Sequence, residues 1–456
     1  MSGDISRRRF LKGTAGAVAT FAIARHGLGA NEKLAHANIG AGGMGGGDRG
    51  NIKLHPKVQV VALCDVDSNS LARAAKEFPD ARTYADWREL FAAEGDKIDT
   101  VNIGIPDHMH AAVTMTAVRA KKHVYCQKPL CHDVAECRAI AAATAAAGVV
   151  TQGGNQGGSG IGDRQVVHFL REGGIGKVRR LVFCSNRPGA IEAYRPEGPR
   201  PAKGEKPPAH LAWDLWLGAA PAREYVPGLY HPVRWRGWQD FGTSWMADIF
   251  AHLFDAYWKG LGLNAPKSVV AEVQKSWKDS AARRADTWPQ SAHVTWTFGG
   301  SVRTEGPELP VEWFDGEFYP PEDVQKMAEG FEKYPSESAM VIGTEGALLQ
   351  PMWSGAILLP REKFKGHPRP KLPPREHHFH FLDACLGGER TESHFVQIAP
   401  MTEAVLLGSV AMRVPNTVLR WDPAAMKVPN CPEANRFLRR TYRQGWEVQG
   451  LVPEKP

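Results

Sequence analysis

Ala37-Asn38-Ile39-Gly40-Ala41-Gly42-Gly43-Met44-Gly45 is the stretch that decides the fold. Residues 37–41 read as a buried strand, and Gly40, Gly42 and Gly45 behind it carry G-x-G-x-x-G spacing. In that spacing the first glycine permits a tight turn and the second lets backbone approach a ligand. The third lets a helix pack close to the strand, with its N-terminus aimed at an anion. In so glycine-rich a segment the spacing alone is weak. Asp65 strengthens it, standing twenty residues after Gly45 at the end of a second apolar run, 58–63. A carboxylate there accepts hydrogen bonds from an adenosine ribose and repels a 2′-phosphate. The pattern predicts a bound dinucleotide, NAD in preference to NADP, cradled by Gly40, Gly42, Gly43, Met44, Gly45 and Asp65.

Working outward, strand-like runs at 100–105, 123–126 and 149–152 alternate with helical spacing at 68–78, 86–93, 111–120 and 133–147. That alternation predicts a Rossmann-type, doubly wound parallel sheet over residues 31–155. Beyond Gly153 the texture changes. Runs 177–186, 268–277 and 291–298 alternate as half-buried strands, with helical spacing at 165–172, 248–259, 377–386 and 401–412. Residues 156–456 are therefore expected to form an α+β domain with a large, mostly antiparallel open sheet. The Pro-rich stretches 187–208, 306–321 and 360–374 read as loops of the kind that serve as lids or oligomer arms.

At 456 residues, 43% hydrophobic and 23% charged, the chain has globular composition, which excludes disordered and fibrous classes. Residues 1–30 hold Arg7, Arg8, Arg9, Lys12 and Arg25 against Asp4, so +4 of the net +7 sits there. The remaining +3 is too dilute for a nucleic-acid binder. Ser6-Arg7-Arg8-Arg9-Phe10-Leu11-Lys12 and the Ala/Gly-rich run behind it look like a twin-arginine signal, read by the export machinery for folded proteins. The run is too short and too weakly apolar to span a bilayer. The expectation is a periplasmic protein. Seven cysteines with no C-x-x-C pair argue against a disulfide framework and for inert thiols.

The chemistry-bearing motifs lie further on. Gly104-Ile105-Pro106-Asp107-His108-Met109-His110 is followed by Lys122-His123-Val124-Tyr125-Cys126-Gln127-Lys128-Pro129-Leu130, then by Gly174-Ile175-Gly176-Lys177-Val178. Met246-Ala247-Asp248-Ile249-Phe250-Ala251-His252-Leu253-Phe254-Asp255 comes last. In these motifs and their order, over residues 35–415, the chain resembles the glucose–fructose oxidoreductase/inositol dehydrogenase/MocA (Gfo/Idh/MocA) family. The resemblance implies an NAD-dependent oxidoreductase with Lys128, Asp248 and His252 as catalytic group. It adds Ile105, Pro106, His110, Gln127 and Lys128 to the cofactor contacts. It also implies a homodimer or homotetramer packed through the open sheet. Removing hydride from a hydroxyl-bearing carbon requires the hydroxyl proton to leave. An imidazole takes that proton near neutral pH while an ammonium polarises the oxygen. Asp248 and His252, four apart, share one helical face, where the carboxylate is expected to orient or charge-stabilise the imidazole. Two positions depart from the family pattern: Gln127 stands where Glu is usual and Asp107 where Asn is usual.

Six of the fourteen tryptophans lie between Trp213 and Trp258. The segment 230–242 mixes aromatics with Arg, His and Asp, a mixture that suits the C–H faces and hydroxyls of a sugar, polyol or glycoside. Tyr230, His231, Trp235 and Arg236 are the expected substrate contacts. His377, His378 and His380 do not share one helical face and lack a completing ligand, so no metal site is expected. Three functions follow. The first is a sugar or polyol dehydrogenase. The second is a redox-neutral glycoside-cleaving enzyme that oxidises a ring carbon transiently, and the third is a non-catalytic sugar sensor. Export favours a tightly held dinucleotide carried out with the folded protein.

Overall fold

The computed structural model describes residues 33–188, 196 and 198–452. The twin-arginine stretch, and part of the first Pro-rich stretch, lie outside the described residues.

Six strands form the first sheet: β1 Leu34–Ile39, β2 Val58–Cys64, β3 Arg82–Tyr84, β4 Thr100–Ile103, β5 His123–Cys126 and β6 Thr151–Gly153. All pairings are parallel and the order is β3-β2-β1-β4-β5-β6. The helices between them are α1 Gly43–Ile52, α2 Ser68–Glu77, α3 Trp87–Glu94, α4 His110–Arg119 and α5 Val134–Ala147. Their starts follow from caps. Asp67, Asp86 and Asp133 accept the backbone N–H of Asn69, Arg88 and Glu136, and Asp133 with Glu136 completes a capping box. The strand order reverses between β1 and β4, where this architecture opens a crevice at the strands' C-terminal ends.

α6 Ile161–Glu172 leads into the second sheet. Its strands are β7 Val178–Ser185, β8 Ser268–Val273, β9 Ala292–Gly299, β10 Glu308–Asp315, β11 Glu337–Gly343, β12 Ala347–Pro351, β13 Ile357–Leu359 and β14 Leu419–Arg420. They run in the order β13-β12-β11-β7-β10-β9-β8-β14, antiparallel except for β7 with β10. The alternation in β9 holds: Val294, Trp296 and Phe298 are buried on one face. α7 Trp245–Leu261 and α9 Phe395–Arg413 pack on that face, and α8 His377–Cys385 returns to the first domain, stacking His378 on Tyr125. α9 is long and apolar enough to cross a membrane, but it is a core helix, 83% buried, and Arg138 of α5 forks onto its Glu403 at 2.8 Å.

Two expectations need correction. Stretch 306–321 is not a loop, because it contains β10, a central strand. Its Pro310 is tolerated because it pairs only with Thr297 of β9, and the ladder to β7 starts one residue later at Val311. The strand expected over 268–277 stops at Val273, and the chain turns through Lys275–Lys278 to bury Trp277. The opposite face of β7, β10, β11 and β12 is partly covered by the chain itself. Phe318, Val324, Met327, Ala328 and Tyr334 lie over Val182, Cys184, Phe314, Met340 and Leu349. All seven cysteines are free thiols.

Phe250 of α7 joins helix to sheet, with ring centroids 4.5 Å from Phe254 and 5.0 Å from both Phe183 and Trp296. Phe250→Ala should cost about 3–5 kcal/mol in urea unfolding. A loss below about 1 kcal/mol would show that the helix is not anchored there.

Candidate active site

A cleft of ≈ 1310 Å³ opens above β1 and β4, with the glycine turn at one end and α7 at the other. Gly40 holds φ +93°, and a Cβ on it would meet the Gly104 carbonyl oxygen at 2.3 Å. A Cβ on Gly45 would meet the Gly40 carbonyl oxygen at 2.2 Å. These glycines therefore allow α1 to sit against both central strands. Asn38 pins the turn from below, donating to the carbonyls of Gly40 (3.1 Å) and Gly45 (3.3 Å) while accepting from Arg49 (2.9 Å). α1 starts without a side-chain cap and without an acid in its first turn, and Gly43 and exposed Met44 border the cleft. Its first N–H groups are left for an anion, which fits the pyrophosphate of a dinucleotide.

Asp65 borders the cleft at the expected place and has a second task there. Its Oδ2 accepts the N–H of Ala41 (2.8 Å) and Gly42 (3.1 Å), and its Oδ1 that of Asp67 (2.8 Å). Burial raises its pKa and these three bonds oppose the rise. Ile105 and Pro106 line the cleft. His110 is a strut, with Nδ1 2.7 Å from the Pro129 carbonyl and Nε2 2.7 Å from the Ile105 carbonyl. It ties the turn after β4 to the turn that carries Lys128.

At the other end Lys128 Nζ donates to Asp248 Oδ1 at 2.5 Å and to the Asp248 carbonyl at 3.1 Å. Arg236 Nε stands 3.6 Å from Asp248 Oδ2, and its guanidinium lies 4.3 Å over the Trp235 ring. Burial raises the Asp248 pKa, but Lys128 and Arg236 outweigh it and hold the carboxyl below its ordinary range. Of the two roles expected for Asp248 toward His252, orientation by a hydrogen bond needs correction, because Asp248 faces these two cations and bonds no atom of the imidazole, while its charge still acts on the ring and raises its pKa. The His252 Nδ1 is sealed from solvent with no hydrogen-bond partner among the described residues. The ring meets the cleft by its other edge, beside Trp353 at 5.2 Å. Burial, and then the Lys128 charge, push its pKa well below the ordinary value, so the imidazole is neutral.

Asp107, singled out in the sequence only as a departure, proves to belong to this cluster. Its Oδ2 accepts from Thr243 Oγ1 (2.9 Å) and Thr243 N (3.2 Å). Burial and then the charge of Asp248 push it up to about 7, against Arg236, the Thr243 bond and Lys128. Gln127 donates to both oxygens of Asp48, at 3.0 and 2.8 Å, and His378 Nε2 lies 3.0 Å from the same carboxylate. Burial lowers the His378 pKa, but its bonds to Asp48 and Glu376 push it up to about 9. His377 instead bonds Ser159 and the Gly153 carbonyl.

Of the substrate candidates, His231, Trp235 and Arg236 line the cleft, His231 with Nε2 3.2 Å from Asp67 Oδ2. Tyr230 does not. Its ring is fully buried against Trp213, Trp238 and Phe241, a packing anchor forced by its aromatic neighbours. Sequence reasoning missed Trp353, which comes from the β12–β13 turn and is 63% exposed. Its only signal is structural: a bulky residue at φ +64°.

Residues 35–154 match the family profile "Oxidoreductase family, NAD-binding Rossmann fold", GFO_IDH_MocA. Over these residues the chain is similar to the NAD-binding domain of the Gfo/Idh/MocA family. Inositol 2-dehydrogenase of Rubrobacter xylanophilus is 30% identical over 113 residues, 25% of this chain and 32% of that protein. D-apiose dehydrogenase of Paraburkholderia graminis is 36% identical over 91 residues, 20% of this chain and 24% of that protein. The chain thus spans a quarter to a third of these curated relatives. Solved structures extend the fold likeness beyond residues 35–154. The WlbA dehydrogenase of Bordetella pertussis, in complex with NADH and UDP-GlcNAcA, aligns at TM-score 0.59 and 14% identity, covering 86% of this chain and 99% of that one. An inositol dehydrogenase homolog of Azotobacter vinelandii, with NADH and myo-inositol, aligns at 0.55 and 15%, covering 86% and 98%.

The Asp107 carboxyl gives a pH test. The folded chain keeps a proton that the unfolded chain releases near 3.8, so this group's contribution to stability falls as pH rises from about 4 to about 7 and is flat above. Asp107→Asn removes that loss. The variant should match the parent in urea at pH 4 and exceed it by up to about 4 kcal/mol at pH 8. Parallel stability curves would contradict the buried, protonated carboxyl.

Proposed function

We propose that this chain is an NAD-dependent oxidoreductase moving hydride between the cofactor and a hydroxyl-bearing carbon of a sugar or polyol. One observation carries the reading: an ammonium at 2.5 Å from a buried carboxylate, beside a neutral imidazole, faces the same cleft as the uncapped N-terminus of α1. A bound dinucleotide supplies the hydride acceptor or donor. The protein manages the proton and the shape. The Lys128 ammonium, held by Asp248, donates to the reacting oxygen, and His252 takes the hydroxyl proton as that oxygen becomes a carbonyl. Arg236 and His231 offer donors to ring hydroxyls, and the face of the exposed Trp353 suits the C–H side of a ring. The named relatives, inositol 2-dehydrogenase and D-apiose dehydrogenase, support a polyol or sugar as substrate. Asp65 supports NAD over NADP.

Redox-neutral cleavage of a glycoside is the second reading, and Asp107 favours it. That route needs an acid for the departing oxygen besides the base that removes a proton beside the oxidised carbon. A carboxyl that still holds its proton near pH 7 supplies one. The twin-arginine stretch leads us to extend the proposal to export of the folded protein with NAD already bound.

Denatured pure protein should therefore release NAD, and release of none would refute the bound-cofactor reading. With glycosides offered, net NADH or keto-sugar marks the dehydrogenase, whereas free sugar without net NADH marks redox-neutral cleavage. Lys128→Ala should lower turnover about 10²–10⁴-fold with NAD retained. Unchanged turnover in that variant would remove Lys128 from the chemistry.

A further inference from the structure

A second cavity, ≈ 220 Å³, lies behind Thr243, between the start of α5, the end of α9 and the C-terminal segment. Its walls carry Arg413, Arg436, Arg439 and Arg440 against Asp133 and Asp240. Both acids are already engaged. Asp240 pairs with Arg223, while Asp133 accepts the N–H of Glu136 (2.9 Å) and of Arg440 (3.0 Å). Three of the arginines also have partners: Arg436 with Glu433 at 2.9 Å, Arg439 with the Leu451 carbonyl at 3.1 Å, and Arg440 with Glu136 at 2.9 Å.

Arg413 is different. Its guanidinium is clamped between the rings of Trp288 and Phe437, 4.7 Å from each centroid. Among the described residues it has no hydrogen-bond acceptor and no ion-pair partner, and its Nε is sealed from solvent. Nearby, Arg440 Nη1 is also buried without a partner. Stacking fixes the plane of the Arg413 cation and leaves only its edge to bond. That edge is the donor fork that matches carboxylate and phosphate oxygens. Arg413 is only part-exposed, and the Asp240 and Asp133 charges, both engaged with other partners, offset part of the cost of burying it without bonding it. Burial lowers its pKa to about 10, Asp240 and then Asp133 oppose that, Arg436 adds to it, and the group stays a cation.

We propose that this cavity is a second ligand site, binding a small oxyanion, carboxylate or phosphate, on the edge of Arg413 with help from Arg436 and Arg440. The room exceeds the ~30 Å³ share of one water several times over, enough for such an anion and its remaining waters. The site lies on the far side of Thr243 from Asp107 and does not rest on the oxidoreductase reading.

Calorimetric titration of the full-length protein with inorganic phosphate, and separately with malonate, tests this at constant ionic strength. One saturable site is expected, and the tighter of the two anions identifies the ligand chemistry. Arg413→Met should weaken it at least about tenfold. Arg436→Gln, an exposed change, should weaken it several-fold with an unchanged melting temperature. Both variants leave the N-terminus of α1 intact, so anion binding there would survive them. Equal binding in wild type and Arg413→Met, or no binding of either anion to the wild type, overturns the proposal. Melting in saturating anion gives a second reading, a rise of about 3 °C in wild type that Arg436→Gln reduces at the same anion concentration. An equal rise in both proteins also overturns it.

Discussion

The ion pair between Lys128 and Asp248 is the contact on which the site is built, because it joins the parallel sheet to a helix of the second sheet. Lys128 ends the turn after β5 of the parallel sheet, and Asp248 sits in the first turn of α7 on the second sheet. Buried pairs seldom add much net stability, since removing two charges from water costs about what their attraction returns. This pair's use is positional: it fixes the face of α7, and with it His252, relative to the glycine turn. Arg236 and Asp107 complete the cluster. At pH values where Asp107, raised to about 7, keeps its proton, two cations face one carboxylate, and the surplus positive charge stands where a substrate oxygen would lose its proton. Fixed charge in a water-poor cleft stabilises such an oxygen far better than the same charge would in water.

A second buried network lies on the other side of Lys128. Read from the sequence, Gln127 is a carboxylate lost from the turn. In the fold a carboxylate is present after all, on Asp48 of α1, and the Gln127 amide bonds both of its oxygens. The His378 imidazolium, from α8 more than three hundred residues away in the chain, balances it. The negative charge stands one side chain further from Lys128 than a Glu at 127 would place it, and the helix that carries the glycine turn is tied to a helix of the C-terminal half.

The first domain was readable because each of its signals is local. β1, β2 and β4 run straight into Gly40, Asp65 and Gly104; Asp67, Asp86 and Asp133 sit one residue before their helices; and Asp65 falls at its expected distance from Gly45. What sequence could not show is what non-local packing decides. β10 is hidden beneath prolines, because whether Pro310 is tolerated depends on which neighbour the strand has on each side. Tyr230 and Trp235 look equivalent on paper, five residues apart in one aromatic segment. Both are buried in one aromatic cluster, and only the packing of Trp213, Trp238 and Phe241 around Tyr230 keeps it off the cleft that Trp235 still borders. Trp353 arrives from a turn of the second sheet with no motif near it. The helix-face argument for Asp248 and His252 was correct about the face but silent on Arg236 and Lys128, which take the carboxylate.

Backbone at the start of α7 explains how Asp107 and Asp248 are held close enough to sense one another. Ser244 caps the helix at φ +96°, a conformation that a non-glycine residue adopts only under constraint, while its hydroxyl accepts the N–H of Ala247. The constraint comes from Thr243 beside it. Thr243 gives its N–H and hydroxyl to Asp107 on one side, and its carbonyl accepts from Ser409 of α9 on the other, at 2.8 Å. A relaxed Ser244 would swing Thr243 off one of these partners and leave a buried polar group unpaired, at a cost of about 1–3 kcal/mol. The strained residue keeps both partners of Thr243 bonded. It sets the distance between the carboxyl that keeps its proton and the carboxylate that holds Lys128.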